Sequence, residues 1–243
     1  YFAVPVDETQ EKVREVLPGA NCGACGFPGC DGFAQAVAEG KAPLNGCTIG
    51  GSEVAGKVAS IMGGDVESTE KMVAMVMCQG TSKHTSENFD YQGKNDCRTI
   101  ASLGGNKSCQ YGCIGCGTCV DQCEFDALQV IDGVAVIDEE KCVACKKCIS
   151  VCPKDLIQLV PYKQSVTIKC NNKDFGKVVK DNCSIGCIGC GICARLAPNE
   201  FELEGKLARV KNSDEFDIEK AKMAAEKCPA KCIKIDEEEV IIS

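Results

Sequence analysis

Two stretches of the chain repeat one spacing. Cys113, Cys116, Cys119 and Cys123 follow C-x2-C-x2-C-x3-C, and Cys142, Cys145, Cys148 and Cys152 follow it again, with Pro153 directly after the last. No other feature of the sequence restricts the fold as tightly. Three thiolates at intervals of three residues sit on one tight loop around three corners of a cube, and a remote cysteine supplies the fourth corner. By that geometry Cys113, Cys116, Cys119 and Cys152 bind one 4Fe-4S cluster, and Cys123, Cys142, Cys145 and Cys148 bind its neighbour. A zinc site needs pairs of C-x2-C separated by a longer loop, and disulfides show no preference for three cysteines two residues apart. Gly115, Gly117 and Ala144 keep the loops bare, so backbone N–H groups can point at the sulfurs. Glu124 stands where the first run would carry a Pro; that departure affects a turn and removes no ligand.

A third copy begins at Cys187, Cys190 and Cys193, but its fourth position is Ala197, followed by Pro198. The remote partner is present, because Cys228 precedes Pro229 as Cys152 precedes Pro153. Losing the crossing cysteine removes a second cluster, so this segment resembles a single-cluster ferredoxin with ligands Cys187, Cys190, Cys193 and Cys228. Between its halves, alternation over 201–210 around Glu204-Gly205 predicts a hairpin, and 217–227 reads as a helix. Towards the N-terminus, Cys22, Cys25, Cys30 and Cys47 lie among Gly23, Gly26, Gly29 and Gly46. Four thiolates in such a loop suit zinc or a cubane, and the clusters downstream favour the cubane. Helices are predicted over 8–17, started by a capping box at Asp7 and Gln10, and over 32–39 and 52–62.

Six cysteines remain: Cys78, Cys97, Cys109, Cys170, Cys183 and Cys232. An internal repeat organises some of them, since Ser108-Cys109-Gln110-Tyr111-Gly112-Cys113-Ile114-Gly115-Cys116-Gly117 matches Asn182-Cys183-Ser184-Ile185-Gly186-Cys187-Ile188-Gly189-Cys190-Gly191. Upstream of each copy, 73–78 and 166–170 are apolar strand-like runs ending in cysteine. The expectation is a fifth cluster on Cys78, Cys97, Cys109 and Cys170, drawn together by pairing of those two strands. Cys183 and Cys232 are left as buried thiols.

Composition narrows the function. With 22 Cys, one His and no Trp, the chain lacks the parts for His-rich metal sites and for Ser-His-Asp hydrolysis. Aromatic residues are only 5%, so small modules here need metal staples. A net charge of −8 argues against a nucleic-acid partner, and each oxidised cluster with four thiolates adds about −2 more. So many free thiols belong in a reducing, cytoplasmic compartment. No run of apolar residues is long enough to span a bilayer, and no G-x-G-x-x-G or P-loop run marks a nucleotide pocket. Lys141, Lys146 and Lys147 read as solvated helix residues with a possible docking role, and His84 as a solvated loop residue.

The order of these motifs is distinctive. Asn21-Cys22-Gly23-Ala24-Cys25-Gly26-Phe27-Pro28-Gly29-Cys30 followed by a two-cluster ferredoxin at 113–152 resembles the B subunit of the Rnf complex, the membrane-bound ferredoxin:NAD oxidoreductase. The C-terminal segment resembles the extra module of the longer versions found in anaerobes. The resemblance implies an electron-transferring subunit that works with the other Rnf subunits. It also implies soluble ferredoxin as donor, coupling to sodium-ion or proton translocation, and a place at the cytoplasmic face of the cell membrane. Family members carry a membrane helix ahead of the cluster domain, and no such helix lies in this chain. Within the resemblance, Cys22, Cys25, Cys30 and Cys47 match the first cluster and the two runs match the ferredoxin pair. The alternative is a polyferredoxin subunit of a soluble hydrogenase or of a corrinoid-activating reductase; a structural zinc protein or sensor is the rival from another class.

The expected fold class is α+β: a small helical 4Fe-4S domain at 1–65, then ferredoxin-like βαββαβ-type modules. A connecting segment covers 66–108, a two-cluster module 109–165, and a single-cluster module 166–243.

Overall fold

The computed structural model describes residues 8–66, 70–162, 164–211 and 215–236. Three helices open the chain: α1 (Glu8–Val16), α2 (Gly29–Ala38) and α3 (Gly51–Met62). They enclose a core in which Val13, Phe33, Val37 and Val58 lose essentially all solvent contact. Helix α3 ends where Gly63 turns left-handed at φ 69°, a conformation that only glycine adopts without strain. Asp7, expected to cap α1, lies outside the described residues. Helix α2 begins earlier than the apolar pattern implied, directly after Pro28, so Cys30 sits in its first turn.

Two copies of a β-α-β-β-α-β order follow, the second with one extra short helix ahead of its hairpin. In the first, β1 (Met72–Val76) leads to α4 (Cys97–Ser102), the hairpin β2 (Leu128–Ile131) and β3 (Val134–Ile137), then α5 (Lys147–Val151) and β4 (Ile157–Pro161). In the second, β5 (Val166–Ile168) leads to α6 (Lys177–Asn182) and α7 (Ile192–Leu196). The hairpin β6 (Phe201–Glu204) and β7 (Leu207–Val210), then α8 (Ile218–Glu226) and β8 (Ile233–Ile235), complete it. The predicted hairpin and C-terminal helix are therefore present, and Asp217 caps α8 by accepting the N–H groups of Glu219 and Lys220 at 3.0 and 3.3 Å.

Within each copy the first strand pairs antiparallel with the last. Met72 stands opposite Pro161 and Val76 opposite Ile157; Val166 stands opposite Ile235 and Ile168 opposite Ile233. The expected pairing of the two cysteine-ending strands with each other does not occur. Each is instead covered by the strand that returns after its own Cys-Pro turn, which leaves Val73 through Met77 buried and closes a separate core for each copy. Strand β1, although placed by sequence in a connecting segment, packs in the same core as β2, β3 and β4.

Candidate iron–sulfur centres

All three C-x2-C-x2-C loops share one backbone shape. The residues two and four after the first cysteine turn left-handed: Gly115 and Gly117 in the first loop, Ala144 and Lys146 in the second, Gly189 and Gly191 in the third. These turns aim peptide N–H groups inward, and the ladder is completed from neighbouring strands. Ala74 N–H donates to Cys142 Sγ at 3.3 Å, and Ala135 N–H to Cys113 Sγ at 3.5 Å. Each hairpin also presses on its loop. A Cβ at Gly115 would stand 2.4 Å from the Gly133 carbonyl oxygen, and one at Gly189 2.5 Å from that of Lys206.

The structure gathers the expected sets. Cys22, Cys25, Cys30 and Cys47 line one cavity, with Ala24 N–H on Cys22 Sγ at 3.5 Å and Gly50 N–H on Cys47 Sγ at 3.4 Å. Asn21 fastens the loop by accepting Cys30 N–H at 2.8 Å. Cys148 feels the charges of Cys142, Cys145 and Cys123; Cys119 feels those of Cys113, Cys97 and Cys152; Cys193 feels those of Cys187, Cys190 and Cys228. Burial first, then these neighbours, push Cys119 up to about 12 and Cys148 and Cys193 up to about 11. Assembling several thiolates in one buried place is thus unfavourable without a positive core between them.

The donor set fits that core. A single zinc ion at about 2.3 Å from each sulfur holds its ligands close together. Sulfurs grouped in fours, with backbone N–H donors aimed at them, suit the corners of a cubane.

Two cysteines fall elsewhere than expected. Cys97 does not join Cys78, Cys109 and Cys170. It opens α4 behind the Asp96 cap, its N–H donates to Thr118 Oγ1 at 2.9 Å, and its thiol lies against Cys116. Cys183 takes the vacant place: Cys78, Cys109, Cys170 and Cys183 line one cavity. Cys232 is a buried thiol, as expected, but it touches the ligand set of the second copy, 3.7 Å from Cys228 Sγ. Hydrogen bonding from Cys232 holds Cys187 and Cys228 below the usual thiol range. His84 lies in a turn, as expected, and is half-buried: its Nδ1 lies 2.8 Å from Ser184 Oγ and its carbonyl accepts Ser184 N–H at 2.9 Å. Of the three lysines, Lys141 pairs with Asp138 and Lys147 with Glu124.

The sets adjoin in sequence. Cys145 and Lys147 both feel the charge of Cys22, so the N-terminal site faces the Cys123/Cys142/Cys145/Cys148 site. That set interlocks with Cys113/Cys116/Cys119/Cys152 through shared loops. Cys113 N–H donates to Cys78 Sγ at 3.4 Å, and Cys187 N–H to Cys170 Sγ at 3.4 Å.

Residues 17–49 match a family described as a putative Fe-S cluster, 112–156 a 4Fe-4S dicluster domain, and 184–235 a 4Fe-4S single cluster domain of ferredoxin I. The chain is 41% identical over 243 residues to the B subunit of the Na(+)-translocating ferredoxin:NAD(+) oxidoreductase complex of Acetobacterium woodii. That alignment covers 98% of this chain and 71% of the relative. The chain belongs to the B-subunit family of ion-translocating oxidoreductase complexes. Two further members of the family are comparably similar. The B subunit of the ion-translocating oxidoreductase complex of Methanosarcina acetivorans is 42% identical, covering 81% of this chain and 75% of the relative. The B subunit of the proton-translocating ferredoxin:NAD(+) oxidoreductase complex of Clostridium ljungdahlii is 40% identical, covering 96% and 83%. Two of the three matched segments are described as 4Fe-4S domains and the first as a putative Fe-S cluster, while Cys78, Cys97, Cys109, Cys170 and Cys183 lie outside all of them. Among the described residues no helix is long and apolar enough to cross a membrane.

Proposed function

We propose that this chain is the electron-carrying subunit of a complex that moves electrons between reduced ferredoxin and NAD, coupled to sodium-ion or proton translocation. The contiguity of its cysteine sets carries the reading: a carrier needs its centres side by side, and here the first three sets adjoin one another and the last meets them across the cavity lined by Cys78, Cys109, Cys170 and Cys183. Bound clusters would supply one-electron chemistry at low potential. Cys22, Cys25, Cys30 and Cys47 hold the first; Cys123, Cys142, Cys145 and Cys148 the second; Cys113, Cys116, Cys119 and Cys152 the third; Cys187, Cys190, Cys193 and Cys228 the last. The protein's part is to bury these groups, donate N–H bonds to the sulfurs and hold the spacing.

In this reading the helical unit at 1–65 faces the membrane partners, through a segment beyond this chain, at the cytoplasmic face. The segment 66–108 lends its strand to the module at 109–165, and 166–243 forms the outer module. Soluble ferredoxin donates at the outer end. The assembled complex tests the route. Cys22→Ala should abolish ferredoxin-dependent NAD reduction while ferredoxin still binds; unchanged turnover would sink the assignment.

A further inference from the structure

We propose that Cys78, Cys109, Cys170 and Cys183 hold a further 4Fe-4S cluster between the two ferredoxin-like modules. The inference rests on the carrier reading above and adds a centre to it. Its ground is a site built from two matching halves, one from each copy of the repeat. Cys78 follows β1 and Cys170 follows β5 at the same distance, two residues past the strand. Cys109 and Cys183 stand at the same place before the two cysteine runs, four residues ahead of Cys113 and Cys187.

The hydrogen bonds match as the residues do. Cys113 N–H donates to Cys78 Sγ and Cys187 N–H to Cys170 Sγ, each at 3.4 Å. Gly80 N–H donates to Cys78 and Asn172 N–H to Cys170. Tyr111 and Gly112 donate to Cys109; their counterparts Ile185 and Gly186 donate to Cys183. Asn172 Nδ2 crosses between the halves to Cys109 Sγ at 3.5 Å. Neutral thiols are weak acceptors and need no such array, whereas four thiolates do.

Two further residues adjoin the site, and one of them fits an anionic occupant. Gly80 lies beside the site: a Cβ there would be in ordinary contact with Cys183 Sγ at 3.6 Å and Cys78 Sγ at 3.7 Å, which places both sulfurs against one residue. Lys107 is only 5% exposed, and its ammonium donates to the carbonyl oxygens of Gly80 at 3.1 Å and Gly133 at 2.6 Å. Among the described residues no carboxylate forms a salt bridge with it. A buried cation without an anion is unfavourable, and a cluster with four thiolates, at about −2, supplies the missing charge. Lys107 acts electrostatically on Cys183 and Cys113, one in the proposed site and one in the adjoining set.

The position defines the role. Cys113 and Cys187 each belong to a flanking set and each donates a hydrogen bond into this site, so it is the contact between modules. One electron, drawn from the reduced ferredoxin of the proposed activity, arrives from one flanking centre and leaves to the other. The donor is oxidised as the acceptor is reduced, and no bond or proton moves.

Iron, sulfide and zinc counting on the full chain, purified anaerobically, tests the site directly. The wild-type protein should carry about twenty iron atoms, and Cys183→Ala about four fewer, with one reduced-cluster spin lost in electron paramagnetic resonance. Cys97→Ala should keep the full count. A wild-type count of about sixteen, or one zinc in place of four irons, overturns the site while leaving the four-cluster carrier intact. Because the wild-type count decides by itself, poor folding of a variant does not remove the test.

Discussion

At the level of single residues, the loops around the cysteines are governed by backbone conformation more than by side-chain identity. Three loops adopt the same pair of left-handed residues, but only two spend glycine on them; Ala144 and Lys146 accept φ values of 54° and 65°. A non-glycine residue in that region costs about 1–2 kcal/mol. Lys146 is exposed, so Lys146→Gly should stabilise the protein by about 1 kcal/mol without changing iron content, measurable by denaturant unfolding. The converse holds at Gly115 and Gly189. A methyl group at either meets a hairpin carbonyl at 2.4 or 2.5 Å, against rigid backbone. Gly115→Ala should therefore cost about 2–3 kcal/mol and weaken retention of the cluster on Cys113, Cys116, Cys119 and Cys152, seen as faster iron release to a chelator. Equal release rates from the two proteins would contradict the account. These residues were legible in the sequence because their constraint is local: a C-x2-C-x2-C loop dictates its own turns.

At the level of elements, each module joins a cysteine-bearing loop to a small core that cannot stand alone. The N-terminal unit depends on Phe33, wedged among three short helices and against Gly46, where a Cβ would lie 2.8 Å from its ring. Phe33→Ala removes the largest side chain of that core and should cost about 3–5 kcal/mol. Iron analysis should then show loss of the four irons of the first site with the others kept, because the ferredoxin-like cores are separate. Helix α8 offers a titratable case. Its cap Asp217 has a carboxyl held below the usual value of 3.8, chiefly by the Lys220 backbone N–H. A depressed carboxyl contributes stability above the unfolded value and loses it as pH falls through the folded one. Asp217→Ala should hasten amide exchange across α8 equally at pH 7 and pH 5, and the gap to wild type should close as pH falls below 3.8. Element types were largely readable from periodicity. Strand partners were not, since β1 and β5 carry equally apolar patterns and the sequence does not say which edge will cover each.

At the level of the whole molecule, the clusters tie the chain together. With 243 residues divided among three small cores and few aromatics, packing alone supplies limited stability. Stripping the iron anaerobically should abolish the cooperative thermal transition and expose most amides to exchange; a sharp transition at an unchanged Tm would show that packing suffices. Binding clusters also shifts the charge well below the −8 of the bare chain, so encounters with basic partner surfaces should slow steeply as salt rises.

The spacing of cysteines within a loop is a local property. The four sets anchored on the N-terminal loop and the three runs therefore followed from sequence alone, as did the α+β modules around them. The centre between the modules is different in kind. Its cysteines come from four separate segments, and only folding reveals which thiols meet. Cys97 is near Cys109 in sequence, yet α4 carries it to Cys116; Cys183 lies far from Cys78, yet the packing of the second repeat against the first brings both sulfurs beside Gly80. Tertiary structure decided that exchange because the repeats meet in matching halves, a relation between surfaces that no spacing along one chain encodes.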